Sequence, residues 1–334
     1  MSNGPGHISA AGDVFSMNDI MDSITTVNTN ERNRTRAGLL RTLAYFDVFL
    51  HPLSLSELMR FADVPMSNEQ LVRQLLDELV STGALEHHAG YWTLRDSVAR
   101  VHRRELSTER AQVRFPQAER MTRRIASFPF VRAVFISGSL SKGCMAPDGD
   151  IDYFIITRPG RLWVARTLLV LYKKLFLLNS RRDFCVNYFV DTEHLTVNDR
   201  DRYTALEVVT LIPLYGNGTT EAFFDHNAWA FAHYPATPTP QSRELTADRP
   251  RLKRWFERAL NGRAGDLLDA LSMELTWRFW RWKFDHLDPK AFDQALRTRT
   301  YVSKHHPRDF RHQVLDGYEH RMCSLEQQLG ASLR

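Results

Sequence analysis

Asp150 and Asp152 are the side chains of this sequence whose type and spacing most directly suggest chemistry. They open an apolar stretch, Ile151 to Ile156, that reads as a β-strand. Residues i and i+2 of a strand point to one face, so the two carboxylates are expected side by side. Unpaired carboxylates that close repel each other and raise one another's pKa. A divalent cation between them removes the penalty, and a site with few protein oxygens suits Mg²⁺ bridging substrate phosphates. Upstream, the strand Val134-Phe135-Ile136 breaks at Gly138-Ser139. That turn offers free backbone amides and one hydroxyl where a phosphate can sit, and Lys142 lies three residues beyond Ser139. The competing reading is a hairpin whose two acids simply face water.

Gly138-Ser139, ten intervening residues and then Asp150-Ile151-Asp152 followed by apolar residues resembles the signature of the polymerase-β-like nucleotidyltransferase superfamily. The resemblance covers about twenty residues and is far more specific than a lone Asp-x-Asp. It implies an α+β fold built on a small mixed β-sheet with helices on one face. It also implies a nucleoside triphosphate substrate and Mg²⁺, with Mn²⁺ as the alternative ion. Asp150 and Asp152 would hold the metal, and Gly138, Ser139 and Lys142 would hold the phosphates. Such enzymes take a third carboxylate from a strand after the next helix. Here that strand, Phe184 to Asp191, carries Asn187 at its centre, and an asparagine cannot accept a proton. Asp191 and Glu193 are the candidate replacements, Asp191 being four residues beyond Asn187 and so expected on the same face. Glu207 is also within reach, although a first-turn glutamate equally serves the helix dipole. Related enzymes close a helical C-terminal part over the nucleotide, a role suited to Lys304 and Arg308.

The elements that must position these residues follow from the pattern. Residues 1–34 read as a flexible tail rich in Ser, Asn, Thr and Gly. Residues 35–95 read as three helices and a hairpin resembling a winged helix, with Ser54-x-x-Glu57 and Ser67-x-x-Gln70 as helix starts. Its third helix carries Glu69, Asp77 and Glu78 against Arg73, a face that phosphates repel, so DNA binding is not expected and docking to protein is. Residues 96–232 form the nucleotidyltransferase-like domain, entered through a basic helix. In it, the helix from Arg161 to Leu178 is expected to bury Trp163, Leu168, Leu171, Leu175 and Leu178. Residues 233–250, with four prolines after Tyr234, read as a linker. Residues 251–334 read as a C-terminal helical domain. Its aromatic segment Trp277 to Phe284 is expected to pack as core, with its cations snorkelling outward.

At 334 residues the chain has room for two or three domains with real cores. A net charge of +5 is compatible with polyanionic substrates without requiring nucleic acid. Cys144, Cys185 and Cys323 show no C-x-x-C spacing, which argues against a disulfide framework or zinc site and for the cytoplasm. No apolar run is long enough for a bilayer, so no membrane partner is expected. The sequence therefore points to a Mg²⁺-dependent enzyme moving a nucleoside monophosphate from an NTP to a hydroxyl of an unidentified acceptor. The alternative is a non-catalytic module of the same fold that binds nucleotide or docks a protein or nucleic acid.

Overall fold

The computed structural model describes residues 17–180, 182–306 and 310–333, with side chains from residue 29 onward. The chain opens with α1 (Met17–Asp47), β1 (Leu53–Ser54), α2 (Leu55–Phe61), α3 (Glu69–Ser81), β2 (Glu86–His88) and β3 (Tyr91–Thr93). It continues through α4 (Ser97–Ala126), β4 (Val131–Ser137), α5 (Gly138–Ser141), β5 (Asp152–Thr157), α6 (Leu162–Phe176) and β6 (Cys185–Asp191). Next come α7 (Arg202–Val209), β7 (Ile212–Tyr215), α8 (Thr219–His226) and α9 (Ala228–Ala232). The last part holds α10 (Pro250–Ala259), α11 (Arg263–Lys283), α12 (Pro289–Ala295), β8 (Thr298–Arg299), β9 (Val302–Lys304) and α13 (Phe310–Leu329). The fold is mixed α and β, as expected.

Residues 1–16 of the expected tail lie outside the described residues, but from Met17 the backbone is already helical. The capping box at Ser54 and Glu57 starts α2, the Glu57 carboxylate taking the Ser54 amide at 2.9 Å. The start of α3 falls one residue past Ser67, because the Asn68 side chain accepts the Leu71 amide. The two ends of the chain are joined at Asp47. Its buried carboxylate takes the Arg100 guanidinium of α4 and, at 2.5 Å, Arg321 of α13.

A six-stranded sheet in the order β7-β4-β5-β6-β9-β8 positions the site. Among the described residues its only parallel pair is β5 with β6, joined by α6 as the crossover that a parallel pair requires. Alternation splits the core in two. Val134, Ile136, Tyr153 and Ile155 face Met121 and Ile125 of α4 and Trp163 and Leu169 of α6. Phe135, Phe154 and Ile156 face Leu206 and Val209 of α7 and Phe223 and Phe224 of α8. Helices thus cover both faces rather than one, because both faces of β4 and β5 are apolar and neither can be left in water.

Three further expectations are corrected. Only the first half of α6 is buried, and Leu171, Leu175 and Leu178 are exposed. In α11, Trp280 is buried while Trp277, Phe279 and Trp282 are exposed, because the helix meets α6 along one narrow seam. The C-terminal part is not purely helical, since the β8–β9 hairpin completes the sheet beside β6. Between α9 and α10 the chain runs extended across the surface, and the Leu245 amide reaches the Leu214 carbonyl at 2.7 Å.

Candidate functional site

The site is built where β4 ends and β5 begins. Ser137 pairs with Asp152, so the residue after Ser137 must turn directly over the carboxylate. That residue is Gly138, with φ of 68°, a left-handed conformation that glycine adopts without strain. A Cβ there would stand 2.5 Å from Asp152 Oδ2, so any larger side chain must displace the carboxylate. Gly-Ser before Asp-x-Asp is therefore one steric unit, with the glycine clearing the space the second aspartate fills. Ser139 is exposed at the rim of the resulting cleft. Asp150 precedes the strand rather than lying within it, and still lines the same cleft as Asp152.

Burial pushes the Asp152 carboxyl up to about 7. The charges of Asp150 and Glu207 add to the rise, while hydrogen bonding to Cys185 and the charge of Lys142 oppose it. A carboxylate crowded in this way is stabilised in its charged form by a nearby cation. Among the described residues no three His, Cys, Asp or Glu side chains are gathered as metal ligands. Asp150 and Asp152 are a pair, and a pair of hard oxygens fits an ion whose other ligands are water and substrate oxygens.

Lys142 bridges the turn to α7. Its ammonium donates to the Gly138 carbonyl at 3.0 Å and to Glu207 Oε1 at 2.8 Å. An ammonium has three N–H donors, so one remains for a further oxygen. Glu207 is in the second turn of α7, whose cap is Asp201, and not in a first turn, so the pairing with Lys142 rather than the helix dipole explains it.

Asn187 stands beside Asp152, its Nδ2 donating to Asp152 Oδ1 at 2.8 Å. It is brought there by a bulge, since Tyr153 pairs with Val186 and Phe154 with Tyr188, leaving Asn187 as the extra residue. The bulge also inverts the alternation downstream. Phe189 turns toward the α4–α6 core while Tyr188 and Val190 pack on the other side. Asp191 therefore does not share the face of Asn187. It pairs with Thr157 at the far end of the strand, roughly 16 Å from the Asp152 level. There its carboxylate takes the Glu193 amide at 3.0 Å and the His194 ring at 2.8 Å. Asp191 and Glu193 are corrected as third-carboxylate candidates, and Glu207 is the acid the fold brings to Asp152.

Lys304 lines the cleft from strand β9, not from a closing helix. Burial lowers its pKa, and Asp199 stands 3.5 Å away. Arg308 lies outside the described residues. The cleft measures about 1520 Å³ and counts ten Lys and Arg against four Asp and Glu in its lining, a balance that favours a polyanion. Arg166 on α6 belongs to that lining and was not foreseen, since nothing local separates it from the solvated cations of a helix.

No protein-family model, no curated protein and no solved structure matches the chain. Among the described residues no helix is long and apolar enough to cross a membrane.

Proposed function

We propose that this chain is a nucleotidyltransferase that uses Mg²⁺, or Mn²⁺ in its place, to move a nucleoside monophosphate from an NTP to an acceptor hydroxyl. The observation that carries the reading is the interlock of Gly138 with Asp152 beside Asp150, in a cleft of net positive lining. Asp150 and Asp152 would hold the divalent ion, which when bound supplies charge neutralisation on the α-phosphate and alignment of in-line attack. The Gly138-Ser139 turn and the third donor of Lys142 bind the β- and γ-phosphates. The acceptor oxygen forms a new bond to the α-phosphorus as the bond to the bridging oxygen breaks, and pyrophosphate leaves. Glu207 takes the acceptor proton, a role closed to Asn187. Asn187 instead fixes the orientation of Asp152 by its amide hydrogen bond. Lys304 adds positive charge to the cleft from the β9 side.

The test is the pair Asp150→Asn with Asp152→Asn. Pyrophosphate release from an NTP panel with Mg²⁺ should disappear while the circular dichroism spectrum is kept, and turnover that survived would remove these carboxylates from the mechanism.

A second reading, a non-catalytic member of the same fold that binds nucleotide or docks a partner, is favoured by Asn187 alone. Titration with Mg²⁺ and NTP that shows binding without pyrophosphate would select it. In either case residues 35–95 serve docking to protein rather than DNA reading. On α3 the one cation, Arg73, is already engaged with Glu69 at 2.7 Å, and Glu78 with Arg32.

A further inference from the structure

Arg166 is 9 % exposed and lines the cleft, with its guanidinium 4.8 Å from the Trp280 ring centroid and 5.4 Å from that of Trp163. The buried Arg100 has Asp47 and the buried Arg161 has Asp266, and the half-buried Arg202 has Asp63. Among the described residues Arg166 has neither an acid nor a hydrogen-bond acceptor, and burial alone lowers its pKa to about 10. A buried, unpaired cation is costly and persists where something else offsets it. Two indoles, 66° apart in plane with centroids 6.4 Å from each other, flank this one on adjoining sides and offer its N–H donors no acceptor, whereas a guanidinium fork matches the two oxygens of a phosphate or carboxylate.

A chain of contacts links it to the end of the sheet where Asp152 lies. The Asn187 carbonyl takes the His305 amide at 2.9 Å, the His305 ring lies 5.0 Å from Trp280, and Trp280 flanks Arg166. Arg166 is thus reached from the β6–β9 side of Asp152, while the Gly138 turn and Lys142 belong to the β4 side. In-line transfer needs the attacking group opposite the leaving pyrophosphate. With the triphosphate tail on the β4 side, the acceptor enters from the side where Arg166 stands. Leu275, Phe279 and Leu287 line the same end of the cleft and give the acceptor an apolar wall.

We propose that Arg166, flanked by Trp163 and Trp280, is the oxyanion clamp of the acceptor subsite, so that the acceptor carries a phosphate or carboxylate group on a partly apolar body. The acceptor assignment rests on the nucleotidyl-transfer reading, whereas the oxyanion clamp itself does not. The probes are phenyl phosphate, benzoate and neutral benzyl alcohol, titrated calorimetrically into the full chain, with MgATP titrated separately. Wild type should bind phenyl phosphate or benzoate, whichever group the clamp takes, and bind benzyl alcohol at least about tenfold more weakly. Arg166→Met and Arg166→Gln should each weaken the preferred oxyanion at least about tenfold and leave MgATP within about twofold. Arg166→Lys, which keeps the charge and loses the fork, should fall between. Asp150→Asn with Asp152→Asn should lose MgATP and keep the oxyanion. Absence of oxyanion binding in wild type, equal affinity in the Met and Gln variants, or a parallel loss of MgATP would each overturn the proposal. Binding of the probe through Arg166 in a wild-type chain that binds no MgATP would sink the nucleotidyl-transfer reading and leave the clamp standing.

Discussion

Asp152→Asn should make the metal-free protein more stable at alkaline pH and leave its stability unchanged at acid pH. The folded state raises the Asp152 pKa from 3.8 to about 7, chiefly by burial. A carboxyl raised in this way contributes stability that is complete below the unfolded value, near pH 4, and is lost as pH rises through about 7. Above that the wild-type chain carries a crowded charge that the unfolded chain carries freely. A rise of about three units corresponds to about 4 kcal/mol. Asp152 is only half-buried and opens on a solvated cleft, so screening reduces this to about 2 kcal/mol. Asparagine keeps the oxygen that accepts from Asn187 and never ionises. The melting temperature of the variant should therefore exceed wild type by about 3 °C at pH 8, with the gap closing between pH 7 and pH 4. Paired thermal melts across that range, in chelator, read the difference directly, and titrations of groups remote from Asp152 cancel in the subtraction. Added Mg²⁺ should narrow the gap at pH 8 by stabilising wild type alone. A gap of one size at pH 4 and pH 8, or a variant less stable at pH 8, would show that the Asp152 carboxylate is not the uncompensated charge described above.

Gly138→Ala forces a left-handed alanine and a Cβ onto Asp152 Oδ2. Stability in urea should fall by about 1–2 kcal/mol and pyrophosphate release on the order of 100-fold, as the carboxylate is displaced. Glu207→Gln keeps a hydrogen bond to Lys142 but cannot take a proton. Turnover should fall at least about 100-fold with nucleotide affinity nearly unchanged, and a loss of affinity with turnover kept would make Glu207 an anchor for Lys142 only.

The sequence by itself determined what is local. The turn at Gly138, the two carboxylates at the head of β5, and the cap at Ser54 are set by left-handed backbone, period-two alternation and a side-chain oxygen next to free amides. These operate within a few residues and are legible without neighbours. The partners of Asp152 were decided by the tertiary structure. Asp191 was assigned to the Asn187 face by counting four residues, and the bulge opposite Phe154 defeats that count because it exists only in the register between β5 and β6. Lys304 could not be placed on a strand until β9 found β6. Glu207 became an acid of the site through an ion pair with Lys142, 65 positions earlier in the chain. Arg166 has the spacing of any helix cation, and its burial depends on Trp280 arriving from α11. Each is a case where charge or facing is fixed by what packs across a gap, and a one-dimensional pattern carries no term for that distance.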